Sequence, residues 1–372
     1  MGFSPGQRIG SYRVEADLGP ASWGTLVQAR HAVLPRRAII KVVQREFAAV
    51  QPYVLQTLRE ACIIAAIAHP GVPTIYESGV LADRRPWFAF EWIAGATLED
   101  LLARGAMPAF EVAGLLRDLA DILEHAHRRG VIHCGLRPNR VVITTERRYP
   151  LCIPDWSEAL AHDATTHLPW AAVEGSRCYR APEFAHHEDG NRERIDDRAD
   201  LFALGVIAFR ALTGGWPFAP DHDAASFVPV HELHPGAPPA LAAIIDSMLA
   251  FDRFDRPSAS EVRDALDALL ETLPELSRRA TRLREPHLAL VRDPQERTRN
   301  PRQDAGGLPA GAGGAVPDRE VVRLDQPRLR RPRWTPDVPY AETTHVELKI
   351  VEDIVRSRNT QVGSKKLRSQ DL

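Results

Sequence analysis

Residues able to do chemistry begin close to the N-terminus. Leu18-Gly19-Pro20-Ala21-Ser22-Trp23-Gly24-Thr25-Leu26 joins two strand-like runs through a glycine-bearing turn. Glycines in such a turn let backbone N–H groups approach phosphate oxygens, although the same pair of glycines also suits an ordinary hairpin. Lys41 stands in Ala38-Ile39-Ile40-Lys41-Val42-Val43. An ammonium in an apolar strand is costly unless it meets an anion, or unless the strand is a sheet edge and the side chain reaches water. Glu60, in Leu58-Arg59-Glu60-Ala61, either supplies that anion or faces solvent. The chemistry suggested is phosphate binding beside a lysine–glutamate pair.

The surrounding elements follow from periodicity. Alternating or β-branched runs predict strands at 12–18, 25–31, 38–43, 74–79 and 87–92. Between them, residues 53–68 carry apolar residues at helical spacing (Leu55, Leu58, Cys62, Ile63, Ala66, Ile67), and His69-Pro70-Gly71 ends that helix. After Gly95 the pattern turns helical, at 98–104, 108–129, 198–212, 240–249 and 258–270. Residues 200–212 are apolar on nearly every side, which belongs to a helix in the middle of a large domain. The plan is α+β, with a small β-rich lobe holding one helix followed by a larger helical lobe.

The chain has 372 residues, 44% hydrophobic and 26% charged, with a formal net charge of −2. These values exclude a wholly disordered, collagen-like or disulfide-dense chain. Charge is unevenly spread: residues 276–372 hold 20 Lys and Arg against 13 Asp and Glu, whereas 1–275 hold 27 against 36. The stretch 304–318 is glycine-rich and 328–334 is basic, so 273–372 reads as a mostly disordered tail. Only 345–355 has the apolar spacing for a short element. The arginines of the tail are interspersed with acids and prolines, so nucleic acid is not an expected partner. Cys62, Cys134, Cys152 and Cys178 have no metal or disulfide spacing and suit a reducing compartment. With no apolar run long enough for a membrane span and no signal-peptide pattern, the expected location is cytoplasmic.

Further along come Phe90-Glu91-Trp92-Ile93, Val131-Ile132-His133-Cys134-Gly135-Leu136-Arg137-Pro138, Asp155-Trp156-Ser157, Tyr179-Arg180-Ala181-Pro182-Glu183, Asp200-Leu201-Phe202-Ala203-Leu204-Gly205 and Asp255-Arg256-Pro257. In this order, after the glycine turn, Lys41 and Glu60, the set resembles the protein kinase family, and bacterial Ser/Thr kinases most. The resemblance implies a bilobal domain over 12–272, with lobes at 12–91 and 95–272, after a lead at 1–11. It implies a nucleotide site formed by Gly19, Gly24, Leu26, Ile39, Lys41, Glu60, Phe90, Glu91, Ile93, Val142 and Asp155. Lys41 would hold the α- and β-phosphates and pair with Glu60. Phe90 would lie behind adenine, with 91–93 as the hinge, and Asp155 would bind Mg²⁺. His133 and Trp156 would pack together, Glu183 would pair with Arg256, and Asp200 would anchor the catalytic loop. The implied cofactors are ATP, weakly bound, and one Mg²⁺.

The same resemblance exposes departures. The position of the proton-accepting aspartate is Gly135, and that of the second metal ligand is Arg140, a cation without a lone pair to donate. Asn139 falls one position early. Arg137 replaces the lysine that contacts the transferred phosphate, and Cys134 replaces an arginine that senses activation-loop phosphorylation. Ala21 replaces a loop glycine, Pro20 removes an N–H, and Ile39 intrudes on the adenine slot. Ser157 replaces a glycine, which restricts the backbone.

The catalytic positions are thus degenerate at Gly135, Arg137 and Arg140. The first reading is a nucleotide-binding pseudokinase with a regulatory or scaffolding role and a protein partner. Two others stand beside it. One is an active atypical Ser/Thr kinase, with Arg137 or Arg140 offsetting phosphate charge and Glu158 as a stand-in base if it is not simply a solvated glutamate. The other is a structural scaffold with an empty cleft. Thr165, Thr166 and Ser176 are available phosphate acceptors in the activation segment.

Overall fold

Alternation along the N-terminal strands builds a single curved sheet. The computed structural model describes residues 2–161, 177–184, 195–218 and 226–272. Strands β1 (Arg8–Ile9), β2 (Tyr12–Ala21), β3 (Gly24–His31), β4 (Arg37–Val43), β5 (Ile75–Val80) and β6 (Pro86–Glu91) form one sheet in the order β1-β2-β3-β4-β6-β5. Every neighbouring pair is antiparallel. Ala38, Ile40 and Val42 of β4 join Tyr12, Val14, Val27 and Trp87 in a buried cluster. Because successive side chains alternate, Ile39 and Lys41 take the other face, the one covered by helix α1 (Gln51–Ile67). The helix ends at Ala68, whose φ of 48° is left-handed, and His69-Pro70-Gly71 leads away.

The larger lobe contains α2 (Leu98–Leu102), α3 (Ala109–His127), α4 (Arg198–Thr213), α5 (Val230–Leu233), α6 (Pro239–Met248) and α7 (Ala259–Thr272). Short strand β7 (Ala96–Thr97) precedes α2, and β8 (Val131–Ile132), β9 (Val142–Ile143), β10 (Leu151–Cys152) and β11 (Leu160–Ala161) lie between α3 and α4 in sequence. Helix α4 is buried on nearly all sides and packs on α3 and α6. One core runs from Ile63, Ile64 and Phe90 into Leu116, Trp156, Leu204 and Ile245, so the two lobes share a continuous apolar interior. The two-residue strands β7 to β11 and the single-turn helix α5 are too short to show a period, which is why sequence patterning passes over them. The expected disordered tail at 273–372 and the acceptors Thr165, Thr166 and Ser176 lie outside the described residues.

Two buried polar links hold the helical lobe. Arg256 is 2% exposed, and its Nη1 and Nη2 donate to the two carboxylate oxygens of Glu183 at 2.8 and 2.9 Å. Its remaining N–H groups reach the carbonyls of Ala250, Phe251 and Arg198, so all five donors are used. His125 of α3 donates from Nε2 to the Ile67 carbonyl at 2.8 Å, tying α3 to the end of α1, while its Nδ1 faces Arg128 Nη2 at 3.5 Å. Burial, aided by the nearby Arg129 charge, pushes this imidazole down to about 3. A neutral ring satisfies both contacts, and a protonated one would set a second donor against Arg128.

Arg256→Ala should cost about 3–5 kcal/mol, because Glu183 is left as an uncompensated buried charge. At about 2–4 °C per kcal/mol for a domain of this size, calorimetry should show a clear fall in melting temperature; an unchanged one would mean the pair carries no stability. For His125 the folded value lies below the ordinary ~6.5, so as pH falls through ~6.5 the unfolded chain takes a proton that the folded chain refuses. Stability should therefore drop as pH falls from about 6.5 towards about 3. His125→Gln should lose less melting temperature over that window than the parent does, and equal losses would discount His125.

Candidate functional site

The site begins with the alternation in β4. Lys41 pairs across the sheet with Leu26 of β3 and Phe88 of β6, and Ile39 with Phe90. Strand β4 is therefore interior, and Lys41 is 3% exposed, which overturns the edge-strand reading. Its Nζ donates to Glu60 Oε2 at 2.7 Å. Glu60 is buried as well, not solvated, because its turn of α1 faces the sheet. Burial raises the Glu60 carboxyl to about 7 against the pull of the Lys41 ammonium.

Asp200 organises the loop below. Its Oδ2 accepts from His133 N and His127 Nε2, and its Oδ1 from Cys134 N, each at 2.8 Å. The grip matters locally because Cys134 has a φ of 58°, a left-handed conformation that non-glycine residues rarely hold unaided. Burial pushes the His133 imidazole down to about 4, and its ring lies 4.6 Å from that of Trp156. Trp156 is fully buried and donates from Nε1 to the Ile153 carbonyl at 2.9 Å.

Arg140 is the centre of the cleft floor. Its side chain is 3% exposed, and its Nε lies 2.9 Å from Asp155 Oδ2. Its Nη1 donates to the Gly135 carbonyl at 3.0 Å and its Nη2 to Glu158 Oε1 at 2.6 Å. Glu158 also receives Arg180 Nη2 at 3.2 Å and has Arg137 Nη1 at 3.6 Å. The reading of Glu158 as a solvated glutamate is therefore corrected: it is buried among three arginines. Burial would push the Asp155 carboxyl up, but the Arg140 guanidinium, then the Lys41 ammonium, hold it well below the usual carboxylate range. A Cβ on Gly135 would come within 2.3 Å of Arg140 Nη1 and 2.9 Å of the Glu158 carboxyl carbon. Asn139 is exposed and accepts from Arg137 Nε at 3.0 Å, away from Asp155.

The upper rim is drawn down onto this floor. Gly19 has a φ of 91° at the turn, and Ser22 at its tip places Oγ 3.0 Å from Ser157 Oγ. Trp23 packs against Tyr53 of α1, and Gly24 lies so close to Lys41 that a Cβ would meet its Cγ at 2.8 Å. Gln56 of α1 donates to the Ser157 carbonyl at 2.8 Å. Leu26 and Ile39 are half-buried on the inner sheet face, and Phe90 is buried behind Ile39. The Glu91 carboxylate is bound by Arg147 Nη2 at 3.1 Å. Past Ile93 the chain enters β7, where Thr97 pairs with Val142 of β9, and the Val142 side chain lies against Gly95. Ser22, Gln56 and Arg180 were not legible as site residues, since each acts through a partner distant in sequence.

Comparison with known proteins places these features. Residues 12–266 match the family described as Protein kinase domain. Serine/threonine-protein kinase PknJ of Mycobacterium tuberculosis is 30% identical over 284 residues, covering 72% of this chain and 47% of PknJ. Serine/threonine-protein kinase Pkn1 of Myxococcus xanthus is 29% identical over 287 residues, covering 74% of this chain and 41% of Pkn1. The chain thus spans about half the length, or less, of the curated relatives it matches. The crystal structure of the Mycobacterium tuberculosis PknI kinase domain shares the fold, with a TM-score of 0.56 at 23% identity over 72% of this chain and 99% of that one. With the sequence match running from the start of β2 into α7, the chain belongs to the protein kinase family.

Proposed function

We propose that this kinase-fold module binds nucleotide weakly and acts by regulation or scaffolding of a protein partner, with little phosphoryl transfer. The observation that carries this reading is the filled space at Gly135. The Arg140 guanidinium and the Glu158 carboxylate occupy what a side chain there would need. Glu158 itself is held by Arg137, Arg140 and Arg180. A carboxylate with three cationic partners is a poor acceptor for a hydroxyl proton, so it does not replace the missing aspartate as a base. Loss of general-base assistance lowers rates by about 10²–10⁴. The buried Lys41–Glu60 pair, with Asp155 beside it, supports retained nucleotide binding, with Leu26, Ile39 and Val142 against the base and 91–93 along its edge.

The Ser22–Ser157 contact favours a second reading, a cleft that stays shut. One hydrogen bond between neutral hydroxyls is worth about 0.5–1.5 kcal/mol net, which the charged contacts of a polyphosphate exceed. Nucleotide entry is therefore the better reading. Cys134, Cys152 and Cys178 are free thiols, in keeping with a cytoplasmic setting, and among the described residues no helix is long and apolar enough to cross a membrane.

Calorimetric titration with ATP should show binding that Lys41→Ala weakens at least about tenfold. Phosphate transfer to protein by the parent should fall far below the ordinary kinase range of about 1–100 s⁻¹; turnover inside that range would overturn the proposal. Gly135→Asp alone should lower the melting temperature, because its Cβ collides with Arg140. Gly135→Asp with Arg140→Asn and Glu158→Gly clears that space and should raise transfer above the parent. No gain from this triple variant, in a chain that still binds nucleotide, would show that these positions do not limit the reaction.

A further inference from the structure

The kinase family implies a divalent metal at Asp155, and the residues around Asp155 do not fit one. Its Oδ2 faces Arg140 Nε at 2.9 Å, and its Oδ1 accepts the Ser157 N–H at 3.0 Å. Magnesium demands oxygen ligands in near-octahedral array. At the position next to Asp155 this chain presents a guanidinium, which has donors only and a permanent positive charge. A divalent ion shared between Asp155 and residue 140 would sit against that charge in a partly desolvated pocket. Arg140 has little room to withdraw, because its side chain is 3% exposed and is also bonded to Gly135 O and Glu158.

The same features suit a different ligand state. Arg140 Nε is buried and has no hydrogen-bond partner among the described residues, although it lies close to Asp155. The Lys41 ammonium is close enough to help keep the Asp155 carboxyl ionised. Arg137 approaches the same floor through Glu158. A polyphosphate entering between the Ser22 turn and this floor meets fixed positive charge already in place, in a geometry that guanidinium groups match well.

Resting on the nucleotide reading above, we infer that this cleft binds the triphosphate without a divalent cation, the Arg140 guanidinium taking the place of the metal. The ligand is thus the free nucleotide polyphosphate, not its magnesium complex. The structural assignment is specific to one side chain, since restoring an asparagine at 140 removes the built-in cation and returns an oxygen ligand beside Asp155.

The test is fluorescence titration of the full chain with a methylanthraniloyl derivative of ATP, in EDTA and in saturating Mg²⁺. The parent should bind with affinities that differ by less than about threefold between the two buffers, whereas Arg140→Asn should bind at least about tenfold more tightly with Mg²⁺ than without. Arg140→Lys, which keeps the charge, should remain indifferent to the metal and decides the matter if the asparagine variant does not fold. Tenfold or greater tightening of the parent by Mg²⁺ overturns the inference while leaving nucleotide binding intact. Metal indifference in Arg140→Asn overturns the assignment to Arg140. Absence of binding by the parent in both buffers removes the nucleotide reading, and this inference with it.

Discussion

Arg140 carries its charge into a region almost closed to water, and the floor of the cleft is arranged around that fact. Burying an ion is tolerated only when opposite charge and hydrogen bonds replace the lost water. Here Asp155 and Glu158 supply the charge, and the Gly135 carbonyl supplies a further acceptor. The arrangement has consequences on every side. Residue 135 has no room for a side chain, Glu158 is drawn inward from the segment after Trp156, and Arg137 and Arg180 follow it. The floor of the cleft is thus a set of internal ion pairs.

The frame around this cluster keeps its ordinary connections. Lys41 and Glu60 join the sheet to α1, and Gln56 of the same helix holds the Ser157 carbonyl. Asp200 pins the loop that begins at His133, and Trp156 fills the space beside that ring. The Glu183–Arg256 pair secures the end of the activation segment to the loop before α7. None of these links needs catalysis to justify it, because each satisfies a buried polar group that would otherwise be unpaired. The fold therefore does not depend on the identities of residues 135 and 140, because other residues carry these links.

The turn between β2 and β3 is braced from two sides. Pro20 and Ala21 stand in the turn, and Ser22 reaches Ser157 across the opening. Trp23 rests on Tyr53, so the turn is braced against α1 as well as against the floor. Both contacts are modest. They close the cleft without locking it, because a neutral hydroxyl pair is weak beside the charged groups a polyphosphate would engage.

Much of this protein was determined by the sequence alone. Period-two alternation marks β2 to β6, and helical spacing marks α1, α3, α4, α6 and α7, because apolar residues must share a face to be buried together. The ordered motifs from Gly19 to Arg256 carry the family, and the identities of Gly135 and Arg140 state that a carboxylate and an amide are missing. Tertiary structure decided what those replacements do. Nothing in the local pattern places Lys41 on an interior strand, sinks Glu60 or Glu158 out of solvent, or sets Ser22 against Ser157. Burial and ion pairing depend on which distant segments meet, and a charged residue in a loop reads the same in sequence whether water or three arginines surround it.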